Sequence, residues 1–202
     1  MTDSPSTAAD RARGLLDEAR DLAHARRLWP AADLLMAGAA ELGDAAGGAE
    51  VDPLGRPIRG SAPNLMDAAA DWLELLDQLE AKAAGEGAAA PEPEAPPRQL
   101  RWAQWHALTG QAEIRRGRSG RAIDHLELAA GVLEAESLVA QALSLVIAIA
   151  DCQLDTDDPV RAEMALHRAR GLHRALAEAD PDAARLRAGE LDRLTRMIAA
   201  RL

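Results

Sequence analysis

The sequence predicts an all-α fold of about eight helices, stacked as antiparallel helical hairpins. Three observations carry this. Apolar residues recur at spacings of three and four along most of the chain, which puts them on one face of a helix. β-branched residues are sparse outside Val139–Ile149, so little favours a sheet. Helix-start signals stand where the apolar stripes begin, as in Asp158-Pro159 and Asp180-Pro181, an N-cap acid followed by proline at the first helical position.

Each element follows from its own residues. Thr7 with Asp10 reads as the first helix start, and Leu15, Leu16, Ala19, Leu22 and Ala23 form its stripe. Leu28-Trp29-Pro30 breaks that helix, with Pro30 in the first turn of the next, where its missing N–H costs nothing. Ala32, Leu35, Met36, Ala39 and Leu42 form the second stripe, which Gly43 and Gly47-Gly48 end. Residues 49–63 read as a long loop that lies on the protein through Val51, Leu54 and Ile58. Asn64 with Asp67 caps a third helix, whose stripe is Leu65, Ala69, Trp72, Leu73, Leu76 and Leu79.

Residues 85–98 are rich in Ala, Gly, Glu and Pro and read as an extended, poorly ordered linker or loop. It separates an acidic part, residues 1–84, from a neutral one, residues 99–202, although the two are also compatible with packing as one domain. In the second part Trp102, Trp105, Leu108 and Ala112 mark a helix that stops near Gly117. Ser119 is the expected cap of the next, with Ala122, Ile123, Leu126, Ala129, Ala130 and Leu133 on its buried side. Leu138–Ala150 is apolar almost all round, as suits a central helix covered on several sides. The seventh helix buries Ala162, Ala165, Leu166, Ala169, Leu172 and Leu176, and the eighth Leu186, Leu191, Leu194, Met197 and Ile198.

Composition narrows the function. The net charge is −10, all of it in residues 1–97, which carry 8 basic and 18 acidic side chains; the remainder carry 15 of each. An acidic half repels phosphate backbones, so nucleic acid is not the expected partner. No apolar run reaches the roughly 18 residues of a membrane span, and no secretory leader opens the chain. Cys152 is the single cysteine, within an apolar run, so a buried inert thiol and a reducing cytoplasm are expected. Lys82 is the only lysine among 23 basic residues, a bias that suits a GC-rich bacterial genome. There is no Phe or Tyr, so the core rests on aliphatic residues and four tryptophans.

Internal similarity gives the architecture a family likeness. Three stretches share a small-x3-large-x2-small pattern: Ala32, Met36, Ala39; Ala122, Leu126, Ala129; and Ala162, Leu166, Ala169. Each resembles the second helix of a tetratricopeptide (TPR) repeat. Gly110, twelve residues before Ala122, matches that family's first-helix glycine, while Trp105 and Leu108 lie one residue from its Trp and Leu positions. The copies depart from the family in length, since Ala122 and Ala162 are 40 residues apart where the usual period is about 34. The first-helix glycine and aromatic are missing from the other two copies. The resemblance implies a short right-handed superhelix whose first helices line a groove for a partner peptide or helix. Mapped by position, that groove would hold Asp17, Asp21 and His24 in the first copy, Gln104, Gln111 and Arg115 in the second, and Ser144, Ile147, Asp151 and Leu154 in the third. The family's carboxylate-clamp pattern of Lys and Asn is absent.

Catalytic chemistry has no signature here. There is no phosphate-binding glycine loop, HExxH, CxxC or GxSxG, and no Glu-x-x-His pair for a carboxylate metal site. The five histidines, His24, His106, His125, His167 and His173, are scattered and read as solvated or hydrogen-bonded. The expectation is therefore a non-catalytic adaptor or scaffold without cofactor or metal, binding another protein. The alternatives are a self-assembling structural protein, driven by the charge asymmetry between its halves, or a small-molecule-sensing domain with a pocket around Trp102 and Trp105. Arginines concentrate in two places, Arg115–Arg121 and the last two helices. They read as ordinary pairs with Glu163, Glu178, Glu190 and Asp192, or as a patch for an acidic partner.

Overall fold

The computed structural model describes residues 8–42 and 64–202. Among them the chain is helical without strands: α1 (Ala8–His24), α2 (Leu28–Leu42), α3 (Leu65–Gly85), α4 (Arg98–Arg115), α5 (Ser119–Ala135), α6 (Val139–Asp155), α7 (Pro159–Ala179) and α8 (Pro181–Ala199). Consecutive helices pack in pairs, and α6 also meets α8. The chain divides into two compact units, Met1–Arg101 and Trp102–Leu202, with the division inside α4. Thr7, Gly43, Gly47-Gly48 and the 49–63 loop lie outside the described residues.

Local chemistry sets the helix starts. Asn64 accepts from the Met66 and Asp67 amides at 3.2 and 3.4 Å, as the sequence predicts. Asp158 and Asp180 accept from the amides three residues on, each at 3.0 Å, ahead of Pro159 and Pro181. Ser119 does not cap α5. It is the first helical residue, Arg118 holds the cap position without a side-chain bond, and the Ser119 hydroxyl donates to Asp155 at 3.3 Å.

The helix ends are more uniform than the sequence suggests. Arg26, Gly87, Gly117, Ser137 and Asp157 all have φ between 58° and 69°. Around each, the same three amide bonds form: the residue before it donates four back, the residue itself three back, and the residue after it five back. At Ser137 these are Glu136 to Val132, Ser137 to Glu134 and Leu138 to Leu133. Gly117, Ser137 and Asp157 stand twenty residues apart, and α5, α6 and α7 begin twenty residues apart. The 40-residue spacing of Ala122 and Ala162 is thus two steps of a helix-plus-turn unit.

The core of Met1–Arg101 is made by Ala12 and Ala19 of α1, Ala31, Ala32, Leu35 and Met36 of α2, and Leu65, Leu73 and Leu76 of α3. In Trp102–Leu202, α6 is the central helix, burying residues on several sides against α5 and α7. Two predicted stripe positions face out instead: Leu79 is exposed, and Leu186 is 82% exposed near the start of α8.

Close approach at Gly110 lets α4 lie on α5. A Cβ there would stand 2.7 Å from Leu126 Cδ2 and 2.8 Å from its Cγ, so any side chain would have to move the buried Leu126.

Candidate functional site

The expected groove residues fall into three environments. On α1, Asp17, Asp21 and His24 are exposed and share a face; Asp17 pairs with Arg20 at 3.0 Å. On α4, Gln104, Gln111 and Arg115 are exposed on one side of the helix. On α6 the surroundings differ. Ile147 and Leu154 are buried in the core. Ser144 Oγ donates to the Ala140 carbonyl at 3.0 Å and accepts from Arg187 of α8 at 2.9 Å. Asp151 takes a two-pronged pair from Arg193 of α8, at 2.8 and 2.6 Å. Arg187 and Arg193 themselves stay 40% and 42% exposed. Six residues apart on α8, they meet Ser144 and Asp151, seven apart on α6, and form a polar row between the two helices.

A ring cluster was not legible in the sequence. His106 of α4 and His125 of α5 bring their Nδ1 atoms to 2.9 Å. At that separation one nitrogen donates and the other accepts, so the pair is complete with a single proton between the facing atoms. Trp105 stands edge-on to both rings, at centroid distances of 5.0 and 5.6 Å, and to Trp102 at 5.8 Å. Burial, then repulsion from His125, pushes the His106 ionisation below its ordinary range. The tryptophans here pack against imidazoles.

Cys152 is 1% exposed, and burial, with the charges of Asp155 and Asp151, pushes its thiol up to about 11. The nucleophilic thiolate is scarce at neutral pH, which matches an inert thiol. Among the described residues no group of three or more His, Cys, Asp or Glu converges as a metal site would require. No described helix is long and apolar enough to cross a membrane.

Comparison with protein-family models, with curated proteins and with solved structures found no match to this chain.

Proposed function

We propose that the chain is a non-catalytic, TPR-like interaction module that holds a partner peptide or helix against the first helices of its pairs. The observation that carries this reading is the polar row on α6 and α8. α6 is the most buried helix, yet Ser144 and Asp151 stay half-exposed on one side of it and meet Arg187 and Arg193. Paired, oriented and partly exposed polar groups suit recognition of a partner's backbone or carboxylates. The twenty-residue step of helix and turn supports the repeat reading, as does the Gly110–Leu126 approach at the position where the family resemblance calls for a glycine. Gln111 and Arg115 extend the same kind of surface on α4. The single buried cysteine is compatible with a reducing cytoplasm, and the arginine bias with a GC-rich bacterial genome, as this reading has it.

Affinity purification from native extract with mass spectrometry tests the reading. The wild-type chain is expected to enrich a partner that an Arg115→Glu, Gln111→Arg variant loses while staying folded. Identical eluates from the two chains would sink the proposal.

A further inference from the structure

The arginines of the last two helices do not all do the same work. Arg161 pairs with Asp158, Arg168 with Glu127 and Glu134, Arg185 with Asp182, Arg187 with Glu190, and Arg193 with Asp151. Arg196 and Arg201 donate to the backbone carbonyls of Asp192 and Leu154. Arg170 and Arg174 are the exceptions. Among the described residues, neither has a carboxylate or carbonyl partner, although Glu178 stands four residues beyond Arg174.

The two exceptions are neighbours. With His167 and His173 they line a hollow of about 430 Å³ on α7, and no acidic side chain lines it. That size lies in the range of small-ligand sites. His167, Arg170 and Arg174 follow one another at i, i+3 and i+7, on one face of the helix.

Two of the four groups are held in place without being neutralised. Arg170 Nη2 donates to Thr195 Oγ1 at 2.8 Å, and the Thr195 hydroxyl in turn donates to the Leu191 carbonyl at 2.7 Å. This fixes the guanidinium through a neutral oxygen and leaves its remaining donors open. His173 Nε2 lies 2.9 Å from the Ala184 carbonyl, which accepts and so assigns the proton to Nε2. Its Nδ1 has no hydrogen-bond partner among the described residues. Arg174 and His167 have no partner among the described residues.

A second hollow on α7 supplies the contrast. It has about 410 Å³ and contains Arg161 and Arg168, but Glu127 lines it as well, and both arginines are already neutralised. Of these two hollows, only the one between His167 and Arg174 holds arginines without a paired carboxylate among the described residues.

We propose that this hollow binds the phosphate group of a small phosphomonoester, or inorganic phosphate itself. A dianion answers two guanidinium charges at once, and its several oxygens match donors arriving from different directions. A lone carboxylate would leave one arginine unanswered. The site is independent of the polar row on α6 and α8.

Titration calorimetry on the full chain tests the assignment, using inorganic phosphate and ribose 5-phosphate as probes, with the histidine side-chain resonances followed by NMR. Saturable binding that shifts His167 and His173 but not His24 is expected. Arg170→Gln with Arg174→Gln should weaken it by at least about tenfold, the scale of one lost charge-assisted bond. Arg161→Gln with Arg185→Gln removes the same charge from paired arginines and should change affinity less than twofold. Tighter binding of ribose 5-phosphate than of phosphate assigns the site to an ester; the reverse assigns it to the free ion. Equal weakening in both variants reduces the effect to net charge and overturns the proposal, as does the absence of saturable binding. Self-association of the apo chain that disappears in the Arg170, Arg174 variant alone would make a second copy the occupant and also overturn it.

Discussion

In Met1–Arg101 the charged tie between helices is almost fully buried, whereas in Trp102–Leu202 the pairs that cross between helices stay partly exposed and a central apolar helix, α6, carries the packing. Arg101 is 1% exposed. It donates to Glu80 at 2.8 and 2.6 Å, to Asp77 at 2.8 Å and to the Pro96 carbonyl at 3.0 Å. Burial opposes its charge, but Glu80 and Asp77 more than offset that, holding the guanidinium above its ordinary range. Glu92, in the segment that composition reads as a linker, accepts from the Leu28 and Trp29 amides with its two oxygens. It supplies the start of α2 with a counter-charge and two acceptors from 64 and 63 residues away. In the second unit the pairs of Arg168 with Glu127 and Glu134 are about a third exposed and screened by water. Burial, not the number of pairs, decides which of them carry stability.

Arg101→Ala leaves Glu80 without its cation and Asp77 with Arg98 alone, at 2.7 Å. It should cost about 3–5 kcal/mol, the cost of stripping one partner from a buried pair. Hydrogen exchange should show α3 losing protection; a loss under 1 kcal/mol would mean that apolar packing carries this unit as well. Gly110→Ala attacks the second unit's own device. Crowding Leu126 should cost about 1–3 kcal/mol in denaturant unfolding, and the double variant with Leu126→Ala should lose less than the sum of the two single changes, because the smaller side chain leaves space for the new methyl.

Smaller effects sharpen the picture. Glu92→Ala should cost about 1 kcal/mol, as for a lost helix cap, with exchange at the Leu28 and Trp29 amides speeding up first. The turns offer a matched pair of changes. A Cβ on Gly117 meets nothing within 4 Å, so Gly117→Ala isolates the strain of a positive φ and should cost about 1 kcal/mol. Ser137→Gly relieves the same strain and should raise stability by up to about 1 kcal/mol; opposite signs at the two sites would show the turns to be equivalent.

The gentlest test uses pH. His106 ionises below its unfolded value, so the unfolded chain binds the proton more readily. This contribution is whole above about pH 6.5 and is lost as pH falls through that unfolded value. Between pH 7.5 and 5.5 the wild type should lose more stability than a His106→Gln variant. Equal slopes would remove the histidine pair from the account.

What the sequence determined was local. Helix class, helix order and the caps at Asn64, Asp158 and Asp180 follow from interactions within a few residues, so their signals stand in the chain itself. Gly110 was legible too, because its distance from Ala122 records a contact between adjacent helices. Ser119 misled because a hydroxyl near a helix start has two available partners, and packing against the end of α6 chose Asp155. Where sequence reasoning mapped Asp151 and Ser144 to a groove, only the fold could add that α8 supplies arginines to both. The same holds for Arg101 with Asp77 and Glu80, for His106 with His125, and for the unanswered charge of Arg170 and Arg174. Charge and imidazole chemistry depend on which groups converge and how much water remains between them, and residues 19 to 43 positions apart are brought together only by helix packing.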